Sequence, residues 1–124
     1  MKYQVLVEES FSSTHALRHY RGKSEPRHRH RFRVQVTVEG KRLQNKVKYL
    51  TDFVALRSAL RGILKPMSRV NLNDVPPFTK ENPSAENLAR VIGQKFVQRW
   101  KEPGVKLASV KVWETPACAA RYLP

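Results

Sequence analysis

Three histidines in this chain have the type and spacing of metal ligands. His28 and His30 stand two residues apart in a run that alternates from residue 28 to residue 38, and this alternation is typical of a strand with one buried face. Both imidazoles therefore fall on the apolar side of the strand, next to each other. His15 closes an earlier strand-like run, and antiparallel pairing of the two strands would bring it beside them. Three imidazoles with an open fourth position are typical of a catalytic zinc site.

A simpler interpretation of the same segment is also open. His28, Arg29 and His30 lie in an arginine-rich run, and a solvated basic loop that leads into a strand would have this composition. The alternation favours the metal site, because it turns both rings toward the protein interior, where an unpaired imidazole needs a partner.

The flanking patterns predict the elements that position these residues. Thr51-Asp52 offers a helix N-cap, and Pro66 cannot continue the helix that follows. The order strand, strand, helix, helix, strand, strand implies an α+β domain, an antiparallel sheet with both helices on one face. The predicted elements are strands over 2–10, 28–38, 105–114 and 117–123, a loop over 10–25, a basic turn or short strand over 41–48, helices over 53–65 and from 83–84 onward, and a long connection over 66–82.

Length and composition indicate one small globular unit. The chain has 124 residues, of which 40% are hydrophobic, and we expect a single domain over 1–124. No apolar run approaches the length of a bilayer span, and the N-terminus lacks an apolar signal core. A cytoplasmic protein without a membrane partner is expected. The single cysteine, Cys118, cannot form an internal disulfide, and its small-residue surroundings predict a buried thiol.

The net charge is the unusual feature of the composition. Twenty-four basic and ten acidic residues give a formal charge of +14. Such an excess indicates a polyanionic partner or a chain that resists self-association through repulsion. Charge alone does not distinguish a triphosphate from a nucleic acid.

Motifs along nearly the whole chain resemble the 6-pyruvoyl-tetrahydropterin synthase family. The family pattern has F-x-x-x-H followed by H-G-H and a strand, and further matches follow in the same order. The matching segments are Phe11–His15, His28–His30, Asp52-Phe53 with Leu56, Leu72–Asp74, Asn82–Ala89, and Glu114-Thr115 with Tyr122.

This resemblance implies a fold, an assembly and a site. The fold would be the tunnelling fold, in which sheets from several subunits join into a barrel, typically as trimers stacked into a hexamer. We expect Val105–Glu114 and the N-terminal strands to pair across subunits of such a homo-oligomer. Zinc would be held by the three histidines, Glu114 would anchor the pterin ring, and Thr115 is a weaker candidate for the same pocket. The family context is biopterin, folate or queuosine biosynthesis.

The chain departs from the family pattern at several catalytic positions. Ser24 stands where many members carry a catalytic cysteine, and Glu25 matches the glutamate that a subgroup uses instead. Glu25 is therefore our candidate for the proton-abstracting base; its simpler interpretation is a loop carboxylate among arginines. Ser68-Arg69 replaces an Asp-His pair, and arginine cannot act as a base near neutral pH. Arg29 replaces the glycine of H-G-H.

Three functions remain open at this stage. The first is a zinc-dependent lyase acting on 7,8-dihydroneopterin triphosphate or a close relative, with a 6-pyruvoyl, 6-carboxy or 6-hydroxymethyl pterin as product; Glu25 favours the last. The second is a homologue that binds pterins or nucleotides without catalysis. The third is a basic nucleic-acid-binding module, against which stands the lack of aromatics interleaved with the basic residues.

Overall fold

The computed structural model describes residues 1–124 as four strands and two α-helices. The strands form one antiparallel sheet in the order β1-β2-β3-β4. This architecture confirms the predicted α+β fold and its β-β-α-α-β-β order. The elements are β1 Tyr3–His15, β2 His28–Gly40, α1 Phe53–Leu64, α2 Ala85–Arg99, β3 Val105–Thr115 and β4 Cys118–Tyr122, with 3₁₀ turns at Lys65–Met67 and Leu72–Asp74.

The apolar side of β2 forms the centre of a single core. Both helices place their apolar stripes in the same buried cluster as this side of the strand, so the two helices cover one face of the sheet. The alternation of β2 is what makes this possible, because it directs every second side chain toward the helices. Fully buried members of the cluster are Phe32, Val34, Val36 and Val38 of β2, Leu56 and Leu60 of α1, and Leu88 and Ile92 of α2.

Both helices begin at capping residues. The Asp52 carboxylate accepts a hydrogen bond from the N–H of Val54 at 2.9 Å, and the Ser84 hydroxyl accepts one from the N–H of Asn87 at 3.1 Å. Each bond satisfies a backbone N–H that has no partner within its helix. At the other end of α1 the α-helical bonding stops just before Pro66, as predicted, and the chain continues as a 3₁₀ turn. None of the helices has the length and apolar character needed to cross a membrane.

The structure corrects two sequence-based predictions and settles a third that was left open. Strand β1 does not end near residue 10 but continues to His15, with residues 12–14 paired to residues 29–31 of β2. The basic turn predicted over 41–48 is confirmed, and the short strand that was its alternative does not form. Cys118 is exposed, because it starts β4, the short strand at the edge of the sheet.

Candidate metal centre

The pairing of β1 with β2 brings the three predicted histidines together. His15 lies directly opposite His28, and Ser13 lies opposite His30. The ring centroid of His28 is 4.6 Å from that of His15 and 4.5 Å from that of His30. The sequence-based prediction that antiparallel pairing would assemble these rings is confirmed. The extension of β1 beyond residue 10 is what carries His15 into this position.

Strand β3 adds a carboxylate to the three imidazoles. The Oε1 atom of Glu114 lies 3.0 Å from Nε2 of His15, 3.2 Å from Nε2 of His30 and 3.6 Å from Nε2 of His28. One ligand atom from each of these four residues lies within 4.8 Å of the others. The cluster therefore has the donor set and the geometry to hold a metal ion.

Backbone carbonyls fix the orientation of two of the rings. Nδ1 of His15 donates to the carbonyl oxygen of Pro83 at 2.8 Å, and Nδ1 of His28 donates to the carbonyl oxygen of Pro26 at 3.1 Å. A carbonyl only accepts, so each Nδ1 carries a proton, and Nε2 is the nitrogen that each ring turns toward the cluster. Metal-binding histidines are commonly oriented in this way by an outer hydrogen bond.

Electrostatics keep the third ring available as a ligand. Burial is the largest influence on His30 and lowers its pKa, and the neighbouring His28 and His15 rings lower it further, whereas the Glu114 carboxylate acts in the opposite direction. The net effect is a pKa below the ordinary value, so the ring is neutral at neutral pH. Imidazole nitrogens and a carboxylate oxygen are donors that suit divalent transition metals.

Two asparagines hold the segment after His15 in place. The side-chain amide of Asn73 accepts from the N–H of Ala16 and donates to its carbonyl, both at 2.9 Å. Asn82 does the same for Arg18, at 2.7 and 2.9 Å. Each side-chain amide thus pairs with both the N–H and the C=O of one backbone residue, as a residue of a neighbouring strand does. Sequence reasoning assigned no role to either side chain, although both lie in motifs that carried the family resemblance.

Glu25 lies beside the cluster. Its Oε1 atom accepts a hydrogen bond from the N–H of Leu17 at 2.9 Å and lies 3.8 Å from Nε2 of His28. The backbone N–H of Glu25 also donates to the carbonyl oxygen of Leu17 at 3.0 Å. These contacts hold the carboxylate at the edge of the site, with its second oxygen available.

The other predicted site residue lies outside the cluster. The Thr115 hydroxyl accepts from the N–H of Ala117 at 3.3 Å, in the turn that joins β3 to β4. Arg69, which stands in the place of the family's histidine, also lies apart from the four ligand residues. It lines a separate cavity together with Arg29.

Fold and site together define a class of protein. It is an α+β domain in which three imidazoles and one carboxylate meet at the end of an antiparallel sheet, with two helices on one face. The family model described as 6-pyruvoyl tetrahydropterin synthase matches residues 4–124. The chain belongs to this family.

Individual relatives agree with this assignment. The dihydroneopterin monophosphate aldolase of Pyrococcus furiosus is 33% identical over 115 residues, which are 92% of this chain and 91% of the relative. The 6-pyruvoyl tetrahydropterin synthase of Caenorhabditis elegans has the same fold, with a TM-score of 0.86 at 21% identity, covering 100% of this chain and 96% of the other. A Plasmodium vivax 6-pyruvoyltetrahydropterin synthase variant, in which a catalytic glutamate is replaced by cysteine, has a TM-score of 0.81 at 18% identity, covering 98% of this chain and 97% of the other.

Proposed function

We propose that this protein is a zinc-dependent lyase that acts on the side chain of a phosphorylated 7,8-dihydroneopterin. The observation that carries the proposal is the convergence of three imidazoles with two carboxylates, Glu114 within the cluster and Glu25 at its edge. A metal-binding set beside a carboxylate base is suited to breaking a carbon–carbon or carbon–oxygen bond next to hydroxyl groups.

Zinc fits the residues present, because it takes imidazole nitrogen at a site that leaves one position open. His15, His28 and His30 would hold it, and once bound it would supply Lewis-acid polarisation of the side-chain oxygens. Glu114 is proposed to anchor the pterin ring. Its Oε2 atom makes no hydrogen bond within the protein, and a carboxylate can accept two parallel bonds from the ring's amino group and N–H.

Glu25 is proposed as the general base. The N–H of Leu17 occupies one of its oxygens and fixes the carboxylate, so the other oxygen is available for a proton from the substrate. The Plasmodium vivax relative has a glutamate as a catalytic residue, which supports a carboxylate in this role. Ser24 would be a poor substitute, since a hydroxyl without a partner base is a weak nucleophile and a weak base.

We favour 6-hydroxymethyl-7,8-dihydropterin as the product. Glu25 would accept the proton of the hydroxyl on the second side-chain carbon, and the bond between the first and second carbons would break. The electron pair of that bond moves into the ring C=N system, and a proton then returns to the first carbon. The released fragment is a two-carbon aldehyde that carries the phosphate. The Pyrococcus furiosus relative is named as an aldolase, which is this class of cleavage.

A homo-oligomer, a trimer or a hexamer of two trimers, is proposed as the working form. Residues 3–11 of β1 lie on an open edge of the sheet, and β4 pairs only with residues 110–115 of β3. The first half of β3 therefore keeps a free edge, whereas its second half is flanked on both sides. Open edges of this kind are typically covered by pairing with another chain. Pairing across subunits along the whole of 105–114 is excluded by β4.

The reaction is tested by incubating zinc-loaded protein with dihydroneopterin monophosphate and, separately, with the triphosphate. The pterin products are separated and the two-carbon aldehyde is trapped. We expect 6-hydroxymethyl-dihydropterin and one equivalent of the aldehyde phosphate. A pyruvoyl or carboxy product would contradict the cleavage proposed here while preserving the lyase assignment.

The same experiment separates the lyase from a binding protein without catalysis. The loss of the Asp-His pair at Ser68-Arg69 is the observation that favours this second candidate. A parent protein that binds zinc and pterin but turns over neither substrate would support it and contradict the lyase.

A further inference from the structure

We infer that Asn73 and Asn82 are positioning residues for Glu25, the proposed general base. The inference rests on the proposed function, since it concerns the reaction in which Glu25 takes a proton. Neither asparagine is hydrogen-bonded to Glu25. Their effect passes through the backbone of residues 16–18, which directly follow the first metal-binding histidine.

The backbone groups of residues 16–18 are bonded on alternate sides. Ala16 and Arg18 pair with the two asparagine side chains, whereas Leu17 between them pairs with Glu25. An extended backbone produces this alternation, because successive residues direct their N–H and C=O groups to opposite edges. The segment therefore lies between the asparagines on one edge and Glu25 on the other, like a central strand.

Glu25 is attached to this segment by two bonds to one residue. The N–H of Leu17 donates to Oε1 of Glu25 at 2.9 Å, and the N–H of Glu25 donates to the carbonyl oxygen of Leu17 at 3.0 Å. The chain between them folds back on itself, with the N–H of Lys23 donating to the carbonyl of Tyr20 at 3.0 Å. The position of the carboxylate therefore depends on where Leu17 lies.

The two asparagines are themselves fixed within the chain between α1 and α2. The N–H of Asn73 donates to Oδ1 of Asn71 at 3.2 Å. The carbonyl oxygen of Asn82 accepts from Nδ2 of Asn87, in the first turn of α2, at 2.8 Å. Each side-chain amide can then offer one acceptor and one donor to the facing backbone from a fixed place.

The side chain of Arg18 adds to the same attachment. Its guanidinium group donates to the carbonyl oxygen of Phe78 at 2.8 Å and to that of Glu81 at 3.1 Å. Residues 16–18 are thus held by three side-chain groups together. Loss of one asparagine should therefore shift the segment without releasing it.

A shift of this segment would affect the reaction rate more than substrate binding. A general base acts only within hydrogen-bonding distance of the proton that it takes, and a misplacement of about 1 Å can cost roughly a hundredfold in rate. Each asparagine amide is already engaged through both its oxygen and its nitrogen. We therefore expect kcat to fall while KM stays near that of the parent.

His15 offers an alternative route for the same effect, since it immediately precedes the segment. Its ring is held independently, because Nδ1 donates to the carbonyl of Pro83 at 2.8 Å, and its backbone is paired within the sheet. Glu25 has no such independent support beyond its bonds to Leu17. A shift of residues 16–18 should therefore displace Glu25 and leave the metal-binding ring in place.

Amide hydrogen exchange, resolved to single residues, tests this geometry independently of activity. In zinc-loaded Asn82→Ala and Asn73→Ala, the amides of Leu17 and Glu25 should exchange at least about tenfold faster than in the parent. Neither amide is bonded to an asparagine side chain. Asp52→Ala is the matched control, because it removes one hydrogen bond to a backbone N–H at the start of α1 and should leave both exchange rates unchanged.

A double-mutant cycle tests the route through Glu25. Steady-state turnover of dihydroneopterin monophosphate is measured for Asn82→Ala, Glu25→Gln and the double variant, with zinc content in parallel. We expect Asn82→Ala to lower kcat about 10- to 100-fold with KM within about twofold. In the Glu25→Gln background the same substitution should change the rate by less than about twofold, because no base remains to be misplaced.

Asn82→Asp supplies the conservative variant. It keeps an acceptor for the N–H of Arg18 and loses the donor to the Arg18 carbonyl. Its kcat should lie between those of the parent and Asn82→Ala. If Asn82→Ala does not fold, the exchange and rate measurements are made on Asn82→Asp.

Four results would overturn the inference. The first is unchanged exchange at Leu17 and Glu25 in both asparagine variants. The second is a rate loss of equal size in the parent and Glu25→Gln backgrounds, or a loss of zinc from Asn82→Ala, which would place the effect at the metal centre. The third is a raised KM with unchanged kcat. The fourth is an equally large effect of Asp52→Ala, which would indicate a general loss of stability.

Exchange and turnover together separate this inference from the proposed reaction. If the parent turns over no pterin but the amides of Leu17 and Glu25 lose protection in the asparagine variants, the lyase is wrong and the positioning of Glu25 stands. If the parent is active and the variants match it in exchange and kcat, the reaction stands and the positioning role is wrong.

Discussion

Replacing Glu25 by glutamine tests the proposed base most selectively. The carboxylate oxygen that accepts from the N–H of Leu17 has a counterpart in the glutamine carbonyl, so the 2.9 Å hydrogen bond should persist. What the substitution removes is the ability to take a proton. Loss of a positioned general base typically costs 10²- to 10⁴-fold in rate, which corresponds to about 3–5 kcal/mol in the activation free energy.

Glu25→Ala provides the contrast. Alanine removes both the base and the acceptor of the Leu17 N–H, so the free energy of unfolding should fall by about 1 kcal/mol, or a few degrees in Tm for a chain of this size. Glu25→Gln should leave Tm unchanged.

The assay is single-turnover conversion of dihydroneopterin monophosphate by zinc-loaded protein, with pterin binding and metal content measured in parallel. We expect Glu25→Gln to lose at least a hundredfold in rate with zinc content and ligand affinity unaltered. A rate within threefold of the parent would refute Glu25 as the base. A loss of zinc in Glu25→Gln would instead show that the carboxylate acts on the metal site through its contact with His28.

Three further predictions concern the site and its support. Glu114→Gln should weaken pterin binding, measured by titration, by tenfold or more, while zinc is retained after dialysis. Loss of zinc with unchanged pterin affinity would make Glu114 a metal ligand and not the pterin anchor. Asn73→Ala removes two hydrogen bonds to the backbone after the first histidine, and chemical denaturation should show a loss of about 1–3 kcal/mol; an unchanged midpoint would contradict its role as a clamp. Gly93→Ala places a Cβ 2.8 Å from the Tyr122 ring and should lower the free energy of unfolding by about 1–3 kcal/mol. Gly62→Ala, with nothing nearer than 3.5 Å, should instead raise it by up to about 1 kcal/mol, because alanine favours helix α1. Equal effects of the two variants would show that contact with Tyr122 does not matter.

Local patterns were sufficient to predict most of the fold. The alternation of β2 survives in the structure because the side chains of one face are fully buried from Phe32 to Val38. The helix starts at Asp52 and Ser84 follow from capping chemistry that acts within three residues. These features depend on neighbours in the sequence, which is why sequence reasoning reached them.

Features that depend on distant partners were missed. Residues 12–14 are polar and give no strand signal, and they are extended only because β2 on one side and the 69–71 segment on the other supply hydrogen bonds. The Cys118 prediction failed for a related reason: local apolar surroundings do not reveal that a strand will lie at a sheet edge.

In the candidate site, too, some features could be predicted from local sequence and others could not. Strand spacing placed His28 and His30 side by side, and the family resemblance supplied Glu114. No sequence pattern showed that the carbonyl of Pro83 would orient His15 or that Asn73 would hold its neighbour. Those contacts join segments more than 50 residues apart and exist only once the sheet has packed against the chain between α1 and α2.

Metal content tests the central claim most directly. Protein purified without added metal, then equilibrated with limiting zinc and dialysed, should retain close to one zinc per chain by elemental analysis. His15→Ala, His28→Ala and His30→Ala should each lose the metal, while His19→Ala, an exposed histidine outside the cluster, should retain it. A parent that holds no zinc, or single variants that all hold as much as the parent, would contradict the metal centre on which the proposed function depends.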